Sequence, residues 1–175
     1  MSRLLVPFVC LSILGHGCAT DWEEIVAEPN LFSIRMPGTP ARSESFDETS
    51  TRGQRFKLDV GPGWLATMRP ERALIYWAAV EDLPSAVSNE SVLSTFARQR
   101  AKDAGFAAEA DLTPIEYRGL NGVELHVESD GVQLRTRVFV VAGRVHVVDV
   151  MGSERAMTNE IVTRYFGSLR IPARP

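Results

Sequence analysis

The residue types that bind metals or move protons gather in the last third of this chain. His126 and His146 lie close in sequence to Glu124, Glu128 and Asp149, and imidazole with carboxylate is the donor set of many zinc and acid–base sites. Their spacing does not build one. No His-Glu-x-x-His pair places two ligands on one helical face, and the two histidines fall in separate alternating segments. Both are expected to be solvated strand histidines, with no metal and no cofactor. Asp149 stands apart, because alternation puts it on the core face with Val145 and Val147, near Thr136. A buried carboxyl with a raised pKa would be a candidate acid or base. The plainer expectation is a strand-end Asp that accepts hydrogen bonds.

Gly61-Pro62-Gly63-Trp64-Leu65-Ala66 fits Gly-x-Gly-x-x-Ala, with Glu81 further on as the ribose-binding acid. A dinucleotide site needs a helix to open at once inside a parallel βαβ unit. Pro70 interrupts such a helix and a strand-like run, 73–80, follows, so a turn is expected. No Gly-x-Ser-x-Gly elbow or phosphate loop occurs, and nothing nominates a Ser-His-Asp triad. Tyr76, Trp77 and Trp64 could line a ligand groove, although aromatics at strand spacing more often belong to a core. Tyr76 and Trp77, with Glu124, His126, Arg135 and Arg137, make up the candidate binding surface.

The 175 residues carry 19 basic and 22 acidic side chains, a formal charge of −3. With no Lys/Arg cluster, that balance argues against nucleic acid as a partner. Cys10 and Cys18 are the two cysteines, so the body has no disulfide framework or thiolate site. Arg3 precedes an apolar run from Leu4 to Leu14 that has the length of a secretory signal core and is too short to span a bilayer. Leu14-Gly15-His16-Gly17-Cys18 resembles a bacterial lipobox, with the aliphatic residue one place early. That resemblance implies that Cys18 becomes a lipidated N-terminus. The alternative is an ordinary secretory signal cut nearby. Either way the chain is expected to be exported, in the bacterial envelope on the periplasmic side or free in the periplasm.

Positioning these residues falls to short alternating runs. Residues 20–26 read as a capped helical turn with Trp22, Ile25 and Val26 inward. Residues 31–36 alternate, with Phe32, Ile34 and Met36 on one face. Residues 41–53 read as a weak edge strand and a loop. Residues 54–60 form a strand with Phe56, Leu58 and Val60 inside, and 73–80 a central strand apolar on both faces. Residues 88–105 form the main helix, burying Leu93, Phe96, Ala97, Ala101 and Ala104 and turning Arg98, Arg100 and Lys102 to water. Residues 112–118 lead into a meander. A second helix, capped by Ser153, is expected to run to Phe166, burying Met157, Ile161 and Tyr165, before a short strand at 168–171.

In the meander, a two-residue turn at Asp130-Gly131 sets Glu128 opposite Gln133, His126 opposite Arg135 and Glu124 opposite Arg137. Val127, Leu125 and Val123 then face Leu134, Thr136 and Val138. A slip of one residue would push the charges into the core, so the register enforces itself. The expected architecture is one α+β domain over 30–172: a central antiparallel sheet of about six to seven strands flanked by two main helices. Residues 1–17 read as a signal peptide, 18–29 as a tether with a short helical turn, and 173–175 as a tail.

The order of these pieces resembles a group of bacterial envelope proteins. Phe32-Ser33-Ile34 with Pro37-Gly38-Thr39-Pro40 looks like their opening, and Tyr76-Trp77 through Asp82-Leu83-Pro84 like their aromatic strand. Gly122-x-Glu124-Leu125, Arg135-x-Arg137 and the exit from Tyr165 to Pro172 follow in the same order. The arrangement is similar to the PsbP-like α/β/α sandwich. That likeness implies a binding or accessory module and not an enzyme, and it carries over no functional residue. With the expected export and lipid anchor, the leading expectation is a non-enzymatic accessory or interaction module with an envelope protein as partner, touching the membrane through its N-terminal lipid only. A periplasmic small-ligand binder with the aromatic strand as floor is the alternative, and a hydrolase built on Asp149 or His146 the third reading.

Overall fold

A computed structural model describes residues 22–27, 31–46, 52–58, 74–83, 89–107 and 111–172. Its elements are β1 (Glu23–Ala27), β2 (Phe32–Met36), β3 (Ala41–Phe46), β4 (Arg52–Leu58), β5 (Leu74–Asp82) and α1 (Asn89–Asp103). β6 (Leu112–Tyr117), β7 (Leu120–Ser129), β8 (Val132–Val141), β9 (Arg144–Ser153) and α2 (Asn159–Gly167) follow. β3 to β9 form a seven-stranded sheet in the order β3-β4-β5-β9-β8-β7-β6, while β1 and β2 pair separately. Every pairing is antiparallel. This is the expected α+β architecture, a central antiparallel sheet with two principal helices.

The meander adopts the expected register pair for pair, from Val123 opposite Val138 to Glu128 opposite Gln133. Its hairpins close on Arg118-Gly119, Asp130-Gly131 and Ala142-Gly143, all six residues at positive φ. Two such residues in succession match the right-handed twist of the flanking strands.

Alternation along the strands divides the core in two. One face carries Tyr76, Ala78, Val80, Phe139, Val148 and Val150, covered by the β1–β2 hairpin and α2. The other carries Leu125, Leu134, Val138, Val145 and Val147, covered by α1 through Val92, Ala97 and Ala101. β9 is buried on both faces, which is why its sequence is almost continuously apolar.

Several local expectations are overturned. Residues 23–27 are extended: Ile25 lies opposite Ile34 and Ala27 opposite Phe32, so pairing with β2 overrides the capping signal. Val26 points to solvent at 46% exposure, not inward. The second helix starts at Asn159, capped by Thr158, whose Oγ1 accepts from the Ile161 N–H at 3.4 Å. Ser153 belongs to β9, where it pairs with Val132. Among residues 168–171 the only ladder contact is one bridge, in which Ser33 and Arg170 exchange backbone hydrogen bonds of 2.9 and 2.8 Å. Residues 52 and 53 extend β4 into the stretch expected as loop. Cys18, Val60 and the Gly61–Ala66 motif lie outside the described residues. No described helix is long and apolar enough to cross a membrane.

Candidate functional site

The expected binding surface does not exist as one surface. Tyr76 and Trp77 are consecutive in β5, so their side chains leave opposite faces of the sheet. Tyr76 is fully buried and packs edge-on against Trp22 and Tyr165 at 5.8 and 5.0 Å. Trp77 faces α1 and is half-buried. The aromatic strand is therefore not a single floor.

Glu124, Arg135 and Arg137 do come together, on the α2 side. Glu124 accepts from Arg137 Nε at 2.6 Å and from Arg135 Nη2 at 3.2 Å. The Arg137 guanidinium lies 4.5 Å over the Phe166 ring of α2. Arg135 Nε is buried with no hydrogen-bond partner among the described residues. His126 is exposed, as expected.

His146 corrects the expectation of a solvated histidine. It is 3% exposed and stands edge-on to Phe32 at 6.2 Å, because the β1–β2 hairpin covers that end of β9. Burial, with Arg144 as the lesser cause, lowers its pKa to about 4, so the ring is neutral at pH 7. Asp149 sits three residues along and leaves the other face. A site combining the two is geometrically closed off. No three His, Cys, Asp or Glu side chains among the described residues group as metal ligands.

The face under α1 carries the site that the sequence did not single out. Alternation places Arg55 of β4, Trp77 and Glu81 of β5, and Val147 and Asp149 of β9 on this face. Above them Phe96, Gln99, Arg100 and Asp103 recur at helical spacing along one edge of α1. Between these two layers lies a cleft of about 320 Å³ lined by all of them except Asp149.

Two ion pairs build its walls. Arg55 donates to Glu81 Oε1 through Nη2 at 2.7 Å and Nε at 3.2 Å. Arg100 donates from Nε to Asp149 Oδ2 and from Nη2 to Oδ1. Its guanidinium also lies 4.5 Å over the Trp77 ring. Gln99 Nε2 donates to Asp103 Oδ1 at 2.7 Å on the exposed side. Asp149 is completely buried opposite Thr136, as alternation predicted, and burial raises its pKa to about 6 against the pull of Arg100. It accepts hydrogen bonds as expected, but from the middle of β9 and not from a strand end. It anchors a helix arginine, and it reaches the cleft only through that arginine.

Arg100 was expected in water, yet its side chain is 14% exposed. The signal was present: Arg100 follows Phe96 by four residues and Leu93 by seven, and so continues the apolar stripe. Arg55, Gln99 and Asp103 gave no comparable sign, because only the fold brings β4 beneath the end of α1.

No family model matches this chain, and no curated protein does. The solution structure of cyanobacterial PsbP (CyanoP) from Synechocystis sp. PCC 6803 superposes with a TM-score of 0.54. That match covers 93% of this chain and 99% of CyanoP, at 11% sequence identity. The fold is PsbP-like. A crystal structure from Bacteroides thetaiotaomicron VPI-5482 is similar at a TM-score of 0.45 and 8% identity. It matches 87% of this chain, which spans about half of that protein, 49%. The likeness accounts for the sheet and its covering helices.

Proposed function

We propose that this protein is an exported, non-enzymatic binding module, held to a membrane surface by a lipid on Cys18, that takes a small ligand in the α1 cleft. The observation that carries the reading is the cleft, where an aromatic ring and paired charges line a recess of about 320 Å³. Concave sites with apolar surface and a few placed polar groups are the usual form of small-molecule recognition. Its arginines are tied to carboxylates, and Asp149, the acid whose pKa suits proton transfer, is sealed beneath Arg100. Groups so arranged hold a ligand rather than attack one.

The test is a fragment screen on the mature chain by ¹H–¹⁵N NMR. Saturable shifts at the Trp77 indole and at Gln99 are expected. Fragments that collect instead around Glu124 and Arg137 would favour the second reading, an accessory module that presents that patch and His126 to an envelope protein. Intact mass of protein taken from membranes, beside Cys18→Ser, tests the anchor: acyl mass lost in the variant is expected, and an unmodified chain cut near Ala19 would remove the lipid from the proposal.

A further inference from the structure

The charges of the α1 cleft narrow what it can hold. Arg55 is matched by Glu81 and Arg100 by Asp149. An anion entering here would meet Glu81 and Asp103, and a cation would meet both guanidinium groups. An anion would disturb these two pairs, and so would a cation in the inner part of the cleft. Asp103, the one lining carboxylate without a guanidinium partner among the described residues, is exposed, so water screens its charge. The walls offer hydrogen bonds of both senses instead. Arg55, Arg100 and Gln99 supply N–H donors, while Glu81 and Asp103 supply carboxylate acceptors. Apolar surface lies between them on Trp77, Phe96 and Val147.

A ligand that matches this pattern has neighbouring hydroxyls, each able to donate and accept, with C–H faces between them. Building on the reading of the cleft as a ligand site, we propose that it binds a neutral saccharide. A sugar ring packs against the open parts of Trp77 and Phe96, and its hydroxyls bridge the Arg55–Glu81 pair and the Gln99–Asp103 pair. The volume is at the small end of ligand sites, roughly 300–1,000 Å³, and suits a unit of ring size. Arg55 is 42% exposed at the rim, so the site is open and binding is weak and fast.

The experiment is a side-by-side NMR titration of the mature chain with two probe sets. Cellobiose, maltose and N,N′-diacetylchitobiose are the neutral set, and glucuronate and glucosamine the charged one. The expected result is saturable shifts from a neutral disaccharide at the Trp77 indole and the Arg55 and Arg100 Nε–H signals, with Trp22 unmoved. Gln99→Ala, an exposed position, is expected to fold normally and weaken that binding by about tenfold, the scale of one hydrogen bond. Shifts from the charged probes alone would overturn the saccharide assignment and leave the ligand reading standing. Shifts from neither set at these signals would overturn both.

Discussion

The two faces of the sheet solve the same problem in opposite ways, and β9 supplies the problem to both. On the α2 face His146 is buried beside Phe32 and kept neutral. On the α1 face Asp149 is buried as completely but is given a partner, Arg100. The first face is a tight aromatic core of Phe32, Phe56, Tyr76, Phe139, Tyr165 and Phe166. The second uses smaller residues around one ion pair and leaves a cleft at its edge. A buried titratable group without a partner is held by discharging it, and then the packing can close. One held by an ion pair keeps a long polar side chain in place, and the space around that chain stays open.

Breaking the pair should have the largest effect. Arg100→Leu is expected to cost about 3–5 kcal/mol at neutral pH, because Asp149 is left buried without its counter-charge. Arg100→Leu with Asp149→Leu should recover most of that in urea unfolding. A loss in the single variant no greater than that of an exposed helix arginine would show that the pair does not hold α1 down.

The pH dependence comes next. Below its unfolded pKa near 6.5, His146 takes up a proton in the unfolded chain but not in the folded one until about pH 4. Its contribution to stability is therefore present above 6.5 and lost as pH falls towards 4. Asp149 runs the other way: its folded pKa of about 6 lies above its ordinary 3.8. Its contribution is present below 3.8 and lost as pH rises through 6. Each amounts to about 3 kcal/mol, and between about pH 4 and 6 they oppose each other. Asp149→Asn should unmask stability that falls as pH drops, and His146→Gln stability that falls as pH rises. Parallel slopes in the two variants would break the contrast between the faces.

Gly122 tests how tightly the aromatic face is closed. A Cβ there would lie 2.5 Å from the Val138 carbonyl oxygen and 2.6 Å from the Phe139 ring. Gly122→Ala should cost about 1–3 kcal/mol by overpacking while leaving ligand shifts in the cleft unchanged. The smallest effect is a control that belongs to neither face. Ala142 stands at φ 50° in the β8–β9 turn, and Ala142→Asn should raise stability by about 0.5–1 kcal/mol. A melting temperature that fails to rise would mean the turn carries little strain.

Much of the fold was legible because period-two alternation and X-Gly turns are local signals. The β7–β8 register followed from Asp130-Gly131 and from the need to keep Glu124 and Arg137 out of the core. Helix beginnings were harder. The stretch from residue 20 and Ser153 both read as helix starts, but a cap counts only where no strand partner competes, and Ile34 and Val132 are such partners. The cleft was least legible, since Arg55, Trp77, Arg100 and Asp149 come from four elements joined only by folding. Arg100 alone left a trace, its place on the apolar stripe, and an arginine there is ordinarily assigned to the solvent.

The bridge between Ser33 and Arg170 joins an early part of the chain to a late one. A ribosome delivers Phe32, Ile34 and Met36 long before Tyr165, Phe166 and Leu169, which share their core. Until the last of these emerges, the hairpin has no lid and the aromatic face stays open. The C-terminal segment is thus a latch, closed only after residues 159–171 have joined the strands that came long before them.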